Sequence, residues 1–272
     1  MAMRSFFSRL RGTASPKTKR SVRVQPGLER LEARTVPAAI PTVTLAPPSI
    51  WADSPRNQVA IYPPATSFIG EQTHMVLTFD NTSPIDAGYG PYIDLYVPKT
   101  GADGVGTAVD DGITFASATY LGLPVTSTVI TLTAAGVNHP YAVDPTGKPL
   151  VIKPPANFQE GDQLVVLQLP FGSFTNDQPV ASIDVALNIS NLADLGTQLP
   201  LLAQGGFQYG NDPLNNPQSD PTLVGTAVSS SVTPELFRLL KEYIGPEDET
   251  ATGPNFPRQY KLRVDVANGQ TL

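Results

Sequence analysis

GDQLVVLQLPFG (residues 161–172) and VASIDVALNISNL (180–192) decide the fold class of this chain. Both are rich in Val, Ile and Leu at period two, the repeat of an extended strand whose alternate side chains enter a core. The same texture runs outward from them. HMVLTFDNTSP (74–84) alternates Met75, Leu77 and Phe79 against His74, Val76 and Thr78, and Asp80-Asn81 marks a turn. PYIDLYVP (91–98) alternates Ile93, Leu95 and Val97 against Tyr92, Asp94 and Tyr96, with a proline at each end. ITFASATYLG (113–122) and STVITLTAAG (127–136) each stop at Gly. HPYAVDPTGKPLVIKP (139–154) holds a hairpin turn at Asp144-Pro145-Thr146-Gly147. Strands and turns at this regular spacing predict an all-β fold, an antiparallel β-sandwich.

Composition points the same way. Apolar residues are 40% of the 272, enough for a sizeable core, while charged residues are only 15%. Together with 28 Pro and 22 Gly, this favours short strands joined by turns over helical bundles. There is no cysteine, which excludes disulfides, thiolate metal sites and cysteine nucleophiles. A domain of this size does not need disulfides to hold its core. The longest apolar runs, LVVLQLPFG and LPLLA, are strand-length, well short of the roughly 18 residues of a membrane helix.

Charge is unevenly placed. Residues 1–34 hold nine basic and two acidic side chains, a net +7, whereas 35–272 hold nine basic and 22 acidic, a net −13. A basic leader on an acidic body has the form of a targeting segment ahead of a mature domain. The body repels phosphate, so no nucleic-acid partner is expected. The leader has only Phe6, Phe7 and Leu10 as an apolar cluster, too little for the h-region of a standard secretory signal.

The leader ends in LERLEARTVPAA (28–39). Leu28 and Leu31, with Val24, fall near helical spacing, and Glu29 and Glu32 lie on a flank. A short amphipathic helix stopped by Pro37 is the physical reading, either as a sorting segment or as the first helix of a domain. The pattern L-E-x-L-E-x-R-x-x-P-A, formed by Leu28, Glu29, Leu31, Glu32, Arg34, Pro37 and Ala38, resembles the N-terminal motif of many planctomycete surface and secreted proteins. That resemblance covers the first 40 residues and implies export or envelope sorting, without implying any activity downstream.

At the other end, Thr233-Pro234-Glu235 has the form of a helix start, with Leu236, Leu240 and Tyr243 on one face. Against it stands YKLRVDV (260–266), a clean strand followed by a hairpin-type Asn268-Gly269. Lys241, Tyr243, Gly245-Pro246 and the alternation of Tyr260, Leu262, Val264 and Val266 loosely resemble the opening of repeats in bacterial surface and adhesin-type proteins. The resemblance implies that 236–244 is a strand, and we read it so. The expected organisation is therefore a basic leader over 1–39, a β-sandwich over 40–230, and from 231 to 272 the beginning of a second, truncated β-domain.

Chemistry is much less legible than architecture. The two histidines, His74 and His139, read as a strand position and part of an Asn138-His139-Pro140 turn. Ser173 lacks the surroundings of a nucleophile elbow, and no His-Glu-x-x-His motif is present. No catalytic residue, cofactor-binding residue or metal ligand is assigned. Asp103, Asp110 and Asp111 offer hard oxygen ligands of the kind calcium takes, but their spacing is not that of a calcium loop, and a solvated acidic turn is the plainer reading. Trp51, alone among prolines, is a packing anchor more readily than a ligand platform. FQYGNDPLNNPQSDP (207–221) is a turn-rich loop and the expected interaction surface.

Two functions follow as expectations. The first is a non-enzymatic extracellular or cell-envelope protein of structural or adhesion type, the N-terminal part of a larger multidomain protein, with other surface proteins or extracellular polysaccharide as partners. The second is a secreted carbohydrate-binding or carbohydrate-active protein that uses aromatics such as Trp51, Tyr89, Tyr92 and Tyr209.

Overall fold

The alternating stretches form strands, and no helix occurs among the residues that the computed structural model describes, which are 57–83, 86–102, 111–210, 222–245 and 259–270. In chain order the first nine strands are β1 (Asn57–Tyr62), β2 (Thr66–Phe68), β3 (Gln72–Asn81), β4 (Gly88–Tyr89), β5 (Pro91–Val97), β6 (Ile113–Tyr120), β7 (Leu123–Pro124), β8 (Thr126–Thr131) and β9 (Val137–Val143). The rest are β10 (Pro149–Ile152), β11 (Gln163–Gln168), β12 (Ser173–Phe174), β13 (Ala181–Ile189), β14 (Leu199–Phe207), β15 (Leu223–Val224), β16 (Val228–Glu235), β17 (Phe237–Gly245) and β18 (Gln259–Val266).

Two large sheets carry the fold. One runs β1-β3-β13-β6-β7, antiparallel throughout. The other runs β2-β16-β14-β5-β11-β8, with β15 also on β14, and its single parallel pair is β2 with β16. Period two then does its work: Phe79 faces Val59 and Ala181 across the ladder, and Leu77 faces Ile61 and Ile183. Met75, Leu77, Phe79, Ile183, Val185 and Leu187 from the first sheet meet Ile93, Leu95, Val165, Leu167, Leu201 and Val232 from the second in one buried core. At one end of that core Phe79 stands edge-on to both Phe174 and Phe207, with ring centroids 5.4 and 5.5 Å away, the geometry that aromatic quadrupoles favour.

β5 departs from a simple half-buried strand, since all seven of its residues are buried. Its Ile93, Leu95 and Val97 enter the main core, while Tyr92 and Tyr96 on the opposite face join a second cluster with Leu132, Ala142, Ile152, Leu164 and Val166. The two-stranded flap of β9 and β10 contributes Ala142 and Ile152 to this cluster. The turn that joins β9 to β10 is the hairpin expected at 144–147: Asp144 N donates to Lys148 O (2.8 Å) and Gly147 N to Asp144 O (2.9 Å).

The tail is strand. The helix-start signal at Thr233-Pro234-Glu235 lies inside β16, where a ladder overrides local propensity. The boundary expected at 231 also falls within β16, which pairs with β14 over 228–232 and with β2 over 233–235, and whose Val232 is in the main core. β17 and β18 pair only with each other, from Phe237↔Val266 to Gly245↔Gln259, and so form a separate two-stranded ribbon.

Candidate functional site

The covered face of the second sheet is where polar chemistry is concentrated. β5 places Asp94 between Tyr92 and Tyr96, and the flap brings His139 over it. His139 Nε2 lies 2.9 Å from Asp94 Oδ1, with side-chain exposures of 0% and 3%. On the other side of the ring, Tyr141 N and Ala142 N donate to His139 Nδ1 at 3.0 and 2.6 Å. Because Nδ1 accepts, the proton belongs on Nε2, which donates to the carboxylate; the network assigns the tautomer. Asn138-His139-Pro140 is therefore not a turn but part of β9, and its histidine fastens the flap to the sheet.

Two phenols share this environment. The Tyr92 ring lies 5.1 Å from the His139 ring, and its buried hydroxyl has no hydrogen-bond partner among the described residues. Burial, reinforced by the charge of Asp94, pushes the phenols of Tyr92 and Tyr96 well above their ordinary value. A Cβ on Gly206 would come within 2.5 Å of the Tyr92 hydroxyl, so β14 needs glycine there for Tyr92 to lie flat against its backbone.

Beside this pair a recess of about 260 Å³ opens, lined by Tyr92, Tyr141, Phe171 and Tyr209 with the amides of Gln168 and Gln208. Tyr209 is placed by a short backbone ladder: Tyr209 N donates to Tyr89 O (3.2 Å), and Tyr89 N to Gly210 O (2.9 Å). Partial burial raises the Tyr141 phenol above its ordinary value, with Tyr209 adding to the shift and a hydrogen bond with Thr128 opposing it. A larger cavity of about 660 Å³ lies elsewhere on the second sheet and is polar, with Gln159, Gln198 and Ser229, Ser230 and Ser231 on its wall.

The residues singled out in the sequence are only partly brought together. Tyr92 and Tyr209 line the same recess, but Tyr92 is 1% exposed and belongs to the second cluster, so the two do not form an exposed row with Tyr89. Trp51, Asp103 and Asp110 lie outside the described residues. Asp111 is buried, with its Oδ1 where a Cβ on Gly101 would stand, and the described residues contain no group of three or more His, Cys, Asp and Glu suited to a metal. Of the expected loop at 207–221, Phe207 is buried in β14 and the segment beyond Gly210 is outside the described residues. His74 is an exposed strand residue whose Nδ1 lies 3.0 Å from Asp184 Oδ2 on the neighbouring strand. Ser173 sits in β12, paired with Tyr89. Tyr141 and Phe171 were not singled out; a tyrosine two residues after a histidine in a hairpin carries no sequence signal for a recess.

No family model matches the chain, and no curated protein matches it. Among solved structures, one similar chain is AvmM, described as catalysing macrocyclization in alchivemycin A biosynthesis; it is 13% identical, with 71% of this chain and 92% of that one covered at a TM-score of 0.38. A cohesin module from a Clostridium perfringens family 33 glycoside hydrolase is 11% identical, with 66% and 97% covered and a TM-score of 0.37. The major pilin GBS80 of Streptococcus agalactiae, as a C-terminal fragment, is 13% identical, with 72% and 60% covered and a TM-score of 0.31. At these scores the likenesses assign the chain to none of those groups. No helix among the described residues is long and apolar enough to cross a membrane.

Proposed function

We propose that this chain is a module of an extracellular or cell-surface protein, of structural or adhesion type, and that it works through contact and not catalysis. The observation that carries the reading is how the fold uses its titratable side chains. His139 and Asp94 are the most reactive pair by type, and both ring nitrogens of the histidine are occupied by scaffold groups. His74 and Asp184 lie on an exposed strand surface, paired with each other. These groups hold strands together. The leader, with its LExLExRxxPA pattern and its charge opposite to that of the body, supports export as the route to the surface.

Fractionation of cells that express the full chain tests this reading. The chain is expected in the envelope or culture medium, and deletion of residues 1–39 is expected to retain it in the cytosol. Full-length chain found only in the cytosol would end the proposal.

The recess lined by Tyr141, Phe171 and Tyr209 favours a second reading, a carbohydrate-binding module. Aromatic rings beside two amides suit the apolar face and hydroxyls of a sugar. Retention on insoluble polysaccharide that Tyr209→Ala abolishes would support it, and absence of retention on any polysaccharide tried would reject it.

A further inference from the structure

The ribbon of β17 and β18 has two unlike faces. On one, the pairs Phe237↔Val266, Leu239↔Val264, Lys241↔Leu262 and Tyr243↔Tyr260 place seven apolar side chains and one lysine. On the other, Arg238↔Asp265, Leu240↔Arg263 and Glu242↔Lys261 place nearly all the ribbon's charge. Such alternation belongs to a strand pair with a core beneath one face.

Yet the apolar face is bare. Phe237, Leu239, Tyr243, Tyr260, Leu262 and Val264 are 42–63% exposed. Among the described residues the sandwich holds the ribbon at its base: Ala267 is buried in the main core with Leu236 packed against it, Asn268 N donates to Glu71 Oε1, and Arg238 reaches Thr66 and Glu235. A lone two-stranded ribbon is marginal in water, and a contiguous exposed apolar patch on a soluble domain marks an interaction site.

We propose that this face is a self-association surface, covered by the same face of a second copy of the chain. Charge is the first argument. The only cation on the face, Lys241, lies over the Tyr260 ring with Nζ 4.0 Å from its centroid, directed along the ribbon. Arg263 pairs with Asp265, Lys261 with Glu242 and Arg238 with Glu235 on the far face. Two copies meeting face to face bring together one lysine each, held against its own copy's tyrosine ring, and no carboxylate; the rest of the face is uncharged, so what covers it is apolar like the face itself.

Area is the second argument. About half of six large side chains, each of roughly 150–200 Å², gives roughly 450–600 Å² per copy and about 900–1,200 Å² in all, which reaches the lower edge of a specific interface at its upper end and so fits a weak dimer. A two-fold arrangement sets the Tyr243–Tyr260 end of one ribbon against the Phe237–Val266 end of the other and closes a four-stranded sandwich. The association is accordingly reversible and concentration-dependent.

Sedimentation of the full chain over a range of micromolar concentrations tests the proposal, with thermal unfolding as the check on the sandwich. The wild type is expected to shift from monomer to dimer. Leu262→Asp should weaken association by about tenfold or more, as loss of a central contact does. Leu240→Asp, on the charged face, should leave it unchanged. A chain that stays monomeric at every concentration, or Leu262→Asp and Leu240→Asp acting alike, would overturn the proposal. These readouts are independent of where the protein resides in the cell.

Discussion

Removing the His139 ring is the sharpest perturbation that the fold offers. Asp94 and His139 have side-chain exposures of 3% and 0% and share a 2.9 Å contact, so truncation to His139→Ala strands a carboxylate inside the second cluster. It also deprives Tyr141 N and Ala142 N of the acceptor that holds the flap. Breaking a buried pair on one side costs about 3–5 kcal/mol, a large share of a domain's usual stability. Asp94→Asn keeps an oxygen for the Nε2 proton and should cost about 1 kcal/mol. The double variant Asp94→Ala/His139→Ala strands neither partner and should fall short of the summed single losses by about 1–3 kcal/mol. Urea unfolding followed by circular dichroism measures all of these, and amide exchange locates the effect in residues 137–152. Losses that simply add, or a His139→Ala cost below about 1 kcal/mol, would show that His139 and Asp94 do not fasten the flap to the sheet.

Other outcomes follow from single features. Leu121 takes φ 51° ahead of Gly122 at φ 77° in the tight β6–β7 turn, with its side chain 82% exposed; Leu121→Asn should raise stability by about 1 kcal/mol in urea unfolding. Tyr92 and Tyr96 have raised phenol values, so the stability they contribute is complete below the unfolded tyrosine value of about 10 and declines as pH rises above it. The alkaline loss should be shallower in Tyr96→Phe, as a pH series of unfolding midpoints will show. Asp144 is held below its ordinary value by the Thr146 hydroxyl, together with the backbone of Lys148 and Thr146. Its contribution to the flap turn is present above the ordinary carboxylate range and is lost as pH falls through the lowered value; Asp144→Ala should speed amide exchange at Lys148 at neutral pH and lose that acid dependence.

Strand period was legible because packing on two sheets depends on which face each residue occupies. Met75, Leu77 and Phe79 could be read as inward from their alternation alone, and they are fully buried. The second cluster was not legible. Tyr92, Asp94 and Tyr96 read as the outer face of β5 because nothing local shows that a hairpin 45 residues later folds over them. His139 looked like turn material since Asn and Pro flank it, but ladder pairing and the bond to Asp94 outweigh that preference. The helical spacing of Leu236, Leu240 and Tyr243 was misleading for a related reason. The register with β18 makes Phe237, Leu239 and Tyr243 share a face, a pairing visible only once both strands are in place.

The proposed function requires this β-sandwich to act outside the cytoplasm through its surface. The most direct test is labelling of intact cells that express the full chain with an antibody raised against the sandwich, compared with labelling after permeabilisation. A surface or secreted protein gives equal labelling in both, or is recovered from the medium, and both signals are lost when residues 1–39 are removed. Labelling that appears only after permeabilisation, with none of the chain in the medium, would contradict it.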